Sequence, residues 1–351
     1  MRFVGIGIAV ALAAVLGLAN LTQAAPVDLG QVSADAKGLV HIDVDAIRAS
    51  TVVQNAWKKC QAMHPKATEH MDKVKGMIGM DPRTDLHGIT MYGKKVGSHE
   101  GVLLVNAKLD QKLLLEKAAK APDHKVVKHG NREIHTWTDK HHGPKTVAGA
   151  FYKDGVAFGS SVEELNAALD VLDGKAPAVG SGSALAGRVP PGTTVMMRAT
   201  GIAEANLPCK SPVAKQMESV RVAMGENDGQ SFFRAKATMT NADIVGQVKI
   251  ILDGGRAMAL LHSGKDEAAK KLIDAAKVTS EGKTLTILWS APATDVWAMM
   301  EKLAKKAAEH HAKMGKKGPW QHKAGEKKDA CPAQKCPAEK KAPAKPREDE
   351  F

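Results

Sequence analysis

The sequence predicts an α+β fold: two similar domains, each an antiparallel sheet covered by helices on one face, and then a disordered basic tail. Three observations carry this reading. Short runs alternate apolar and polar residues and are separated by turn dipeptides, the pattern of antiparallel strands with one solvated face. Between them lie segments whose apolar residues recur three and four apart, the helical spacing. Both halves follow one order: strand, helix, two strands, helices, strands, helix.

The first domain spans 37–175. A strand at 38–44 leads to Ser50 and Thr51, which offer N-caps to a helix through Val52, Val53, Ala56, Trp57 and Cys60. Pro65 ends it. A second helix follows at 67–78, with Met71, Val74, Met77 and Ile78 expected inward. Asp81-Pro82-Arg83-Thr84-Asp85 reads as a turn, since Asp and Pro initiate turns. Strands follow at 88–92 and 102–107, then a helix from Asp110. A four-strand meander over 124–158 is divided by Gly130-Asn131, Gly143-Pro144 and Asp154-Gly155. Ser161-Val162-Glu163-Glu164 carries a capping-box pattern that starts a helix ending at Asp173-Gly174.

Residues 176–192 are rich in Gly, Ser, Ala and Pro and read as a linker. The second domain, 193–312, opens with a strand at 193–199 and a hairpin of 217–224 with 230–239. Helical segments over 242–277 are punctuated at Asp253-Gly254-Gly255 and Gly264. A hairpin of 278–280 with 284–289 precedes a helix capped by Thr294, with Val296, Met300, Leu303 and Ala307 on its apolar side.

The N-terminus indicates export. Arg2 precedes an apolar run over 3–19, and Thr22-Gln23-Ala24 places small residues at the first and third positions before a cut. This is a signal peptide over 1–24, followed by a linker over 25–36. About 325 residues remain, enough for two domains. No later segment is long and apolar enough to span a bilayer.

Formal net charge is +12, and 302–351 supplies +7 of it, with 14 Lys and Arg against 7 Asp and Glu. The basic tail, 313–351, therefore attracts anionic polymers without sequence specificity. Its only aromatics are Trp320 and Phe351, too few for base stacking, so no specific nucleic-acid partner is expected.

Candidate ligands come from histidine and cysteine. His124, His129, His135, His141 and His142 fall within the meander, where adjacent strands can bring imidazoles to one face for zinc, copper or nickel. His135 and Trp137 share a side opposite Ile134, which places His135 on the solvent face. The tail adds His310, His311, His322, Cys331 and Cys336. The two tail thiols either ligate a metal or form a disulfide, each excluding the other. Cys60 and Cys209 lie in different domains, and their pairing stays open. Met71, Met77, Met80, Met196, Met197, Met299 and Met300 read as core rather than as copper ligands.

No catalytic constellation emerges. Asp81, Asp85 and His87 are accounted for by the turn. Ser160-Ser161 lacks the Gly-x-Ser-x-Gly frame, and Gly254-Gly255 lacks the Lys and hydroxyl of a phosphate loop. The leading expectation is a non-catalytic exported binding or structural protein of the periplasm or cell envelope. Its partner would be an anionic envelope polymer or another envelope protein. The alternatives are a periplasmic zinc, copper or nickel binder without other cofactors and, third, an enzyme on an unfamiliar scaffold.

Three stretches resemble a group of uncharacterised exported α+β proteins of planctomycete-type bacteria. They are 37–44, Asp81-Pro82-Arg83-Thr84-Asp85-Leu86 leading into a strand, and Ala168-Leu169-Asp170-Val171-Leu172-Asp173-Gly174 with Pro177. The resemblance covers most of 37–303. It implies this fold and export and carries no activity or site.

Overall fold

The structure, a computed structural model, describes residues 27–98, 100–139, 145–205 and 211–315. By its contacts the chain divides into two units, Met1–Leu303 and Ala304–Phe351. Of the second, only residues 304–315, the end of a helix, are described. The expected signal peptide, most of the basic tail and Cys209 lie outside the described residues.

The fold is α+β with an antiparallel sheet. The elements of the first half are β1 (Gly38–Asp43), α1 (Val44–Ala49), α2 (Thr51–Met63), α3 (Ala67–Ile78), β2 (Leu86–Gly93), β3 (Val102–Ala107), α4 (Gln111–Ala119), β4 (Lys125–His129), β5 (Arg132–Asp139), β6 (Lys145–Tyr152), β7 (Gly155–Gly159) and α5 (Val162–Leu172). Those of the second are β8 (Thr193–Thr200), β9 (Met217–Asn227), β10 (Gln230–Met239), α6 (Ala242–Ser263), α7 (Glu267–Asp274), β11 (Lys277–Glu281), β12 (Thr284–Pro292) and α8 (Ala293–Gly315).

The sheets of the two halves are continuous. The strand order is β11-β12-β10-β9-β8-β1-β2-β3-β7-β6-β5-β4, twelve strands in one sheet. The halves meet where β1 pairs antiparallel with β8, from Gly38 opposite Ala199 to Ile42 opposite Val195. A carboxylate reinforces this seam. Glu226 on β9 accepts from Ser50 Oγ (2.8 Å), Thr51 N (2.9 Å) and Val52 N (3.4 Å) at the start of α2. It thereby satisfies free amides of a helix that Ser50 itself does not cap. Burial pulls the Glu226 carboxyl upward, but these bonds from Thr51, Ser50 and Val52 outweigh it and hold the group below its ordinary value.

Residues directly opposite in register share a face. On one face sit α1 and α6. The first packs Ile47 near Ile42, Leu86 and Ala107, and the second packs Val245 on Ala237, Met239 and Leu285. On the opposite face α5 packs Leu165, Ala168 and Leu169 against Leu39, Tyr92, Leu104, Ile134 and Ala148. That face is also covered by the segment following α5, through Val179, Leu185 and Ala186.

The caps explain where helices begin. Ser161 Oγ accepts from Glu164 N (3.2 Å) as the capping box predicts, but the Glu164 carboxylate turns away to accept from Gly101 N (3.1 Å) and Ser160 Oγ. Asn241 does the same for α6, accepting from Ile244 N (2.9 Å). Two expectations need correcting. Gly254-Gly255 does not interrupt α6, which runs unbroken to Ser263 with Ile244, Val245, Val248 and Leu252 packed ahead of the glycines. Met77, Met197, Met300 and Leu303 are exposed rather than core.

Candidate functional site

The transition-metal expectation is met only in fragments. His124 Nε2 and His135 Nδ1 lie 3.1 Å apart with rings stacked at 5.4 Å. Burial lowers the His135 pKa, and the neighbouring His124 lowers it further. His135 does share its side with Trp137 opposite the fully buried Ile134, but it is half-buried rather than on open solvent. The reason is α4, whose Leu114 and Ala118 line the same cleft as His135, Trp137 and Phe158. Gly149 lies close beneath these rings: a Cβ there would meet Phe158 at 3.1 Å and Trp137 at 3.3 Å.

His129 is drawn elsewhere, 2.8 Å from Asp170 Oδ1 on α5. His141, His142, His322, Cys331 and Cys336 lie outside the described residues, and His310 and His311 fall in the last turns of α8. Among the described residues no group of three or more His, Cys, Asp or Glu side chains is placed to hold a metal. Cys60 packs beside Trp57 and Met71. The Asp81 turn forms as expected: Arg83 bonds Asp81 through Nε (2.8 Å) and holds that carboxyl below its ordinary value. His87 leaves the turn and meets the buried Asp45 at 3.0 Å.

A different constellation dominates the second half. Arg198 on β8 lies opposite Arg221 on β9, and Arg221 lies opposite Lys236 on β10. Lys236 lies opposite Thr286, and Thr286 opposite Thr279. Three cations therefore stand side by side on adjacent strands, which are about 4.8 Å apart. Arg234 adds a fourth on the same face, two residues along β10. Its guanidinium lies 5.4 Å from the centre of the buried Phe232 ring, which props it. Arg188, on the segment before β8, adds a fifth. With Val189, Pro190 and Leu288 these residues line a cavity of about 240 Å³.

Like charges directly opposite on a sheet are destabilising. Yet among the described residues none of the five has a carboxylate within ion-pair distance. Two of them hold the preceding segment by its carbonyls. Arg198, almost fully buried, donates to the oxygens of Leu185 (2.5 Å), Gly187 (3.0 Å) and Arg188 (3.3 Å). Arg221 donates to Ala184 O at 2.9 Å. Gly187 passes so close that a Cβ would meet Arg221 Nη1 at 3.1 Å, and its φ of +123° favours glycine in any case. Burial, and then the charge of Arg221, lower the Arg198 pKa. Arg188, Arg234 and Lys236 are exposed.

The linear sequence concealed this row because its members come from four separate segments. The visible signal was period-two alternation: Arg221 between Val220 and Val222, and Arg234 and Lys236 flanking Ala235. Those apolar neighbours face α6, so the cations must face away.

Comparison with known proteins adds little beyond this geometry. No protein-family model matches the chain, and no curated protein matches it. Among solved structures it is similar to the Treponema protein TP0453. Crystal form I matches with 10% identity and a TM-score of 0.41, covering 80% of this chain and 98% of that one. Crystal form III matches with 12% identity and a TM-score of 0.40, covering 79% and 99%.

Proposed function

We propose that the chain is an exported, non-catalytic binding protein of the periplasm or cell envelope whose ligand is an anionic polymer. One observation carries the reading: on the sheet face opposite α6, Arg198, Arg221 and Lys236 stand in a row, Arg198 buried beneath the carbonyls of Leu185, Gly187 and Arg188, and Arg221, Lys236, Arg234 and Arg188 exposed around it. Such a surface raises the local concentration of polyanions and binds them in a salt-dependent way. The net +7 of 302–351 adds a second contact of the same sign.

The test is retention of the full chain on an immobilised polyanion. The double charge reversal Arg234→Glu, Lys236→Glu targets two exposed side chains and leaves the carbonyl bonds of Arg198 and Arg221 in place. It should weaken binding at least tenfold at low salt. Unchanged retention would refute this surface.

A second reading, a zinc, copper or nickel binder, is favoured by one distance. Two imidazole nitrogens bound to one tetrahedral zinc at about 2.0–2.1 Å lie about 3.3 Å apart. His124 and His135 are at 3.1 Å. Elemental analysis decides it: one equivalent of metal in the purified chain, lost on His135→Ala, supports it, and metal-free protein rules it out.

A further inference from the structure

We infer that the cavity beside the row is a phosphate subsite, and that the polymer is one whose charges are phosphates rather than carboxylates. This rests on the anionic-polymer reading above and narrows it. The argument is one of charge density and donor geometry. Four guanidinium groups and one ammonium converge on about 240 Å³. A carboxylate brings one negative charge and two oxygens, enough for one guanidinium fork. A terminal phosphate of a chain presents up to two charges and three free oxygens and can bridge forks from different elements at once, while each interior unit adds one charge and two free oxygens along the polymer.

The placement of the donors fits such bridging. Arg198 is fixed in the floor by three carbonyls and supplies charge from below. Arg221 spends one nitrogen on Ala184 O. Arg234, propped against Phe232, and Arg188 on the segment before β8 both line the cavity, and neither has a carboxylate partner among the described residues. Lys236 extends the charge along β10. Val189, Pro190 and Leu288 give apolar walls, and the Thr286 hydroxyl, also in the lining, can donate to a phosphate oxygen; no carboxylate among the described residues lines the cavity. Open sheet continues past the cavity through Thr286 and Thr279, so a longer chain can run across the strands from a phosphate anchored there.

The ligand is therefore a linear phosphate polymer. Phe232 is the aromatic beneath this row and it is buried, so no stacking surface invites bases.

The experiment compares full-length wild type with Arg234→Lys. Each is titrated with long-chain polyphosphate and with poly-L-glutamate of matched total charge, at one fixed salt concentration. Wild type should bind polyphosphate at least tenfold more tightly than polyglutamate. Arg234→Lys keeps the charge but loses the planar fork that bridges phosphate oxygens, so the ratio of polyphosphate to polyglutamate affinity should fall most of the way to one. Pyrophosphate should compete only weakly, because it fills the subsite without crossing the strands.

Equal affinity of wild type for the two polymers would overturn the phosphate assignment while leaving the anionic-polymer reading intact. So would a preference that survives Arg234→Lys. Competition by pyrophosphate as strong as by polyphosphate would show a compact-anion site and overturn the polymer assignment. Binding of neither polymer at low salt would overturn both readings.

Discussion

One row of residues crosses the sheet from edge to edge and changes character in the middle. From β1 outward through the first half it runs Leu39, Tyr92, Val102, Gly159 and Ala148, and ends in Thr136 and Lys125 at the edge. From β8 outward through the second it runs Arg198, Arg221, Lys236, Thr286 and Thr279. The two stretches lie on the same face and meet where Leu39 opposes Arg198. What separates them is the side on which one helix lies. In the first half the helix after the hairpin, α5, crosses to this face and buries it. In the second half the corresponding helix, α6, stays on the other face; here the segment before β8 covers Arg198, and Arg221, Arg234 and Lys236 are left exposed. Similar element order, with similar Ser161 and Asn241 caps, thus yields a covered core in one half and a charged surface in the other. A repeated pattern can supply both a scaffold and a binding face, the difference being one helix placement.

The largest test of this contrast is Leu165→Ala, which empties a fully buried position in the covered half. It should cost about 2–5 kcal/mol in denaturant unfolding, whereas Arg234→Ala on the bare half should change stability by less than about 0.5 kcal/mol. Equal costs would erase the distinction.

Next comes the seam that joins the halves. Glu226→Ala removes the carboxylate from three donors at the start of α2 and should cost about 1–2 kcal/mol. Since the folded Glu226 pKa lies below its unfolded value, its contribution is present above the unfolded pKa and is lost as pH falls through the folded one. The variant should therefore show a shallower loss of stability on acidification below about pH 5. A parallel acid limb in wild type and variant would sink this account.

A smaller effect concerns the tail. Deleting residues 316–351 should lower polyanion retention less than the Arg234→Glu, Lys236→Glu reversal does. If deletion abolishes retention and the reversal does nothing, the tail alone is the contact.

The smallest effect is the repulsion within the row. Lys236→Ala should stabilise the chain by a few tenths of a kcal/mol at low ionic strength, and the gain should vanish in high salt. A melting series across salt concentrations measures it.

Much of the fold was legible in the sequence. The strand β6 reads Thr146-Val147-Ala148-Gly149-Ala150-Phe151-Tyr152, apolar at nearly every position, as suits a strand covered on both faces. Strands β9 and β10 alternate at Val220-Arg221-Val222 and at Arg234-Ala235-Lys236-Ala237, as suits one covered face. Caps at Ser161 and Asp110 follow from local hydrogen bonding, so neighbouring residues sufficed to find them. The β1–β8 pairing was not legible, because a contact between 38–43 and 193–200 leaves no periodicity. Nor was the Glu226 cap, 175 residues from Thr51. Of the histidines expected at a metal, the sequence located His124 and His135 on neighbouring segments, but it could not see Asp170 claiming His129. The basic row required both the alternation and the strand order, and only the first is local.

The sheet ends in β4 on one side and β11 on the other, since it does not close into a barrel. Unpaired strand edges invite a second copy to add on. The β4 edge exposes Val126 and Val127, which would suit such growth, but brackets them with Lys125 and Lys128. A copy aligned there sets lysine near lysine at both ends of the contact. The opposite edge, β11, carries Lys277 at one end and Glu281 at the other, a pattern that matches itself when reversed. Any filament longer than a pair must use the β4 edge at least once, so two lysines set a ceiling on self-assembly and keep a long open sheet from becoming an endless one.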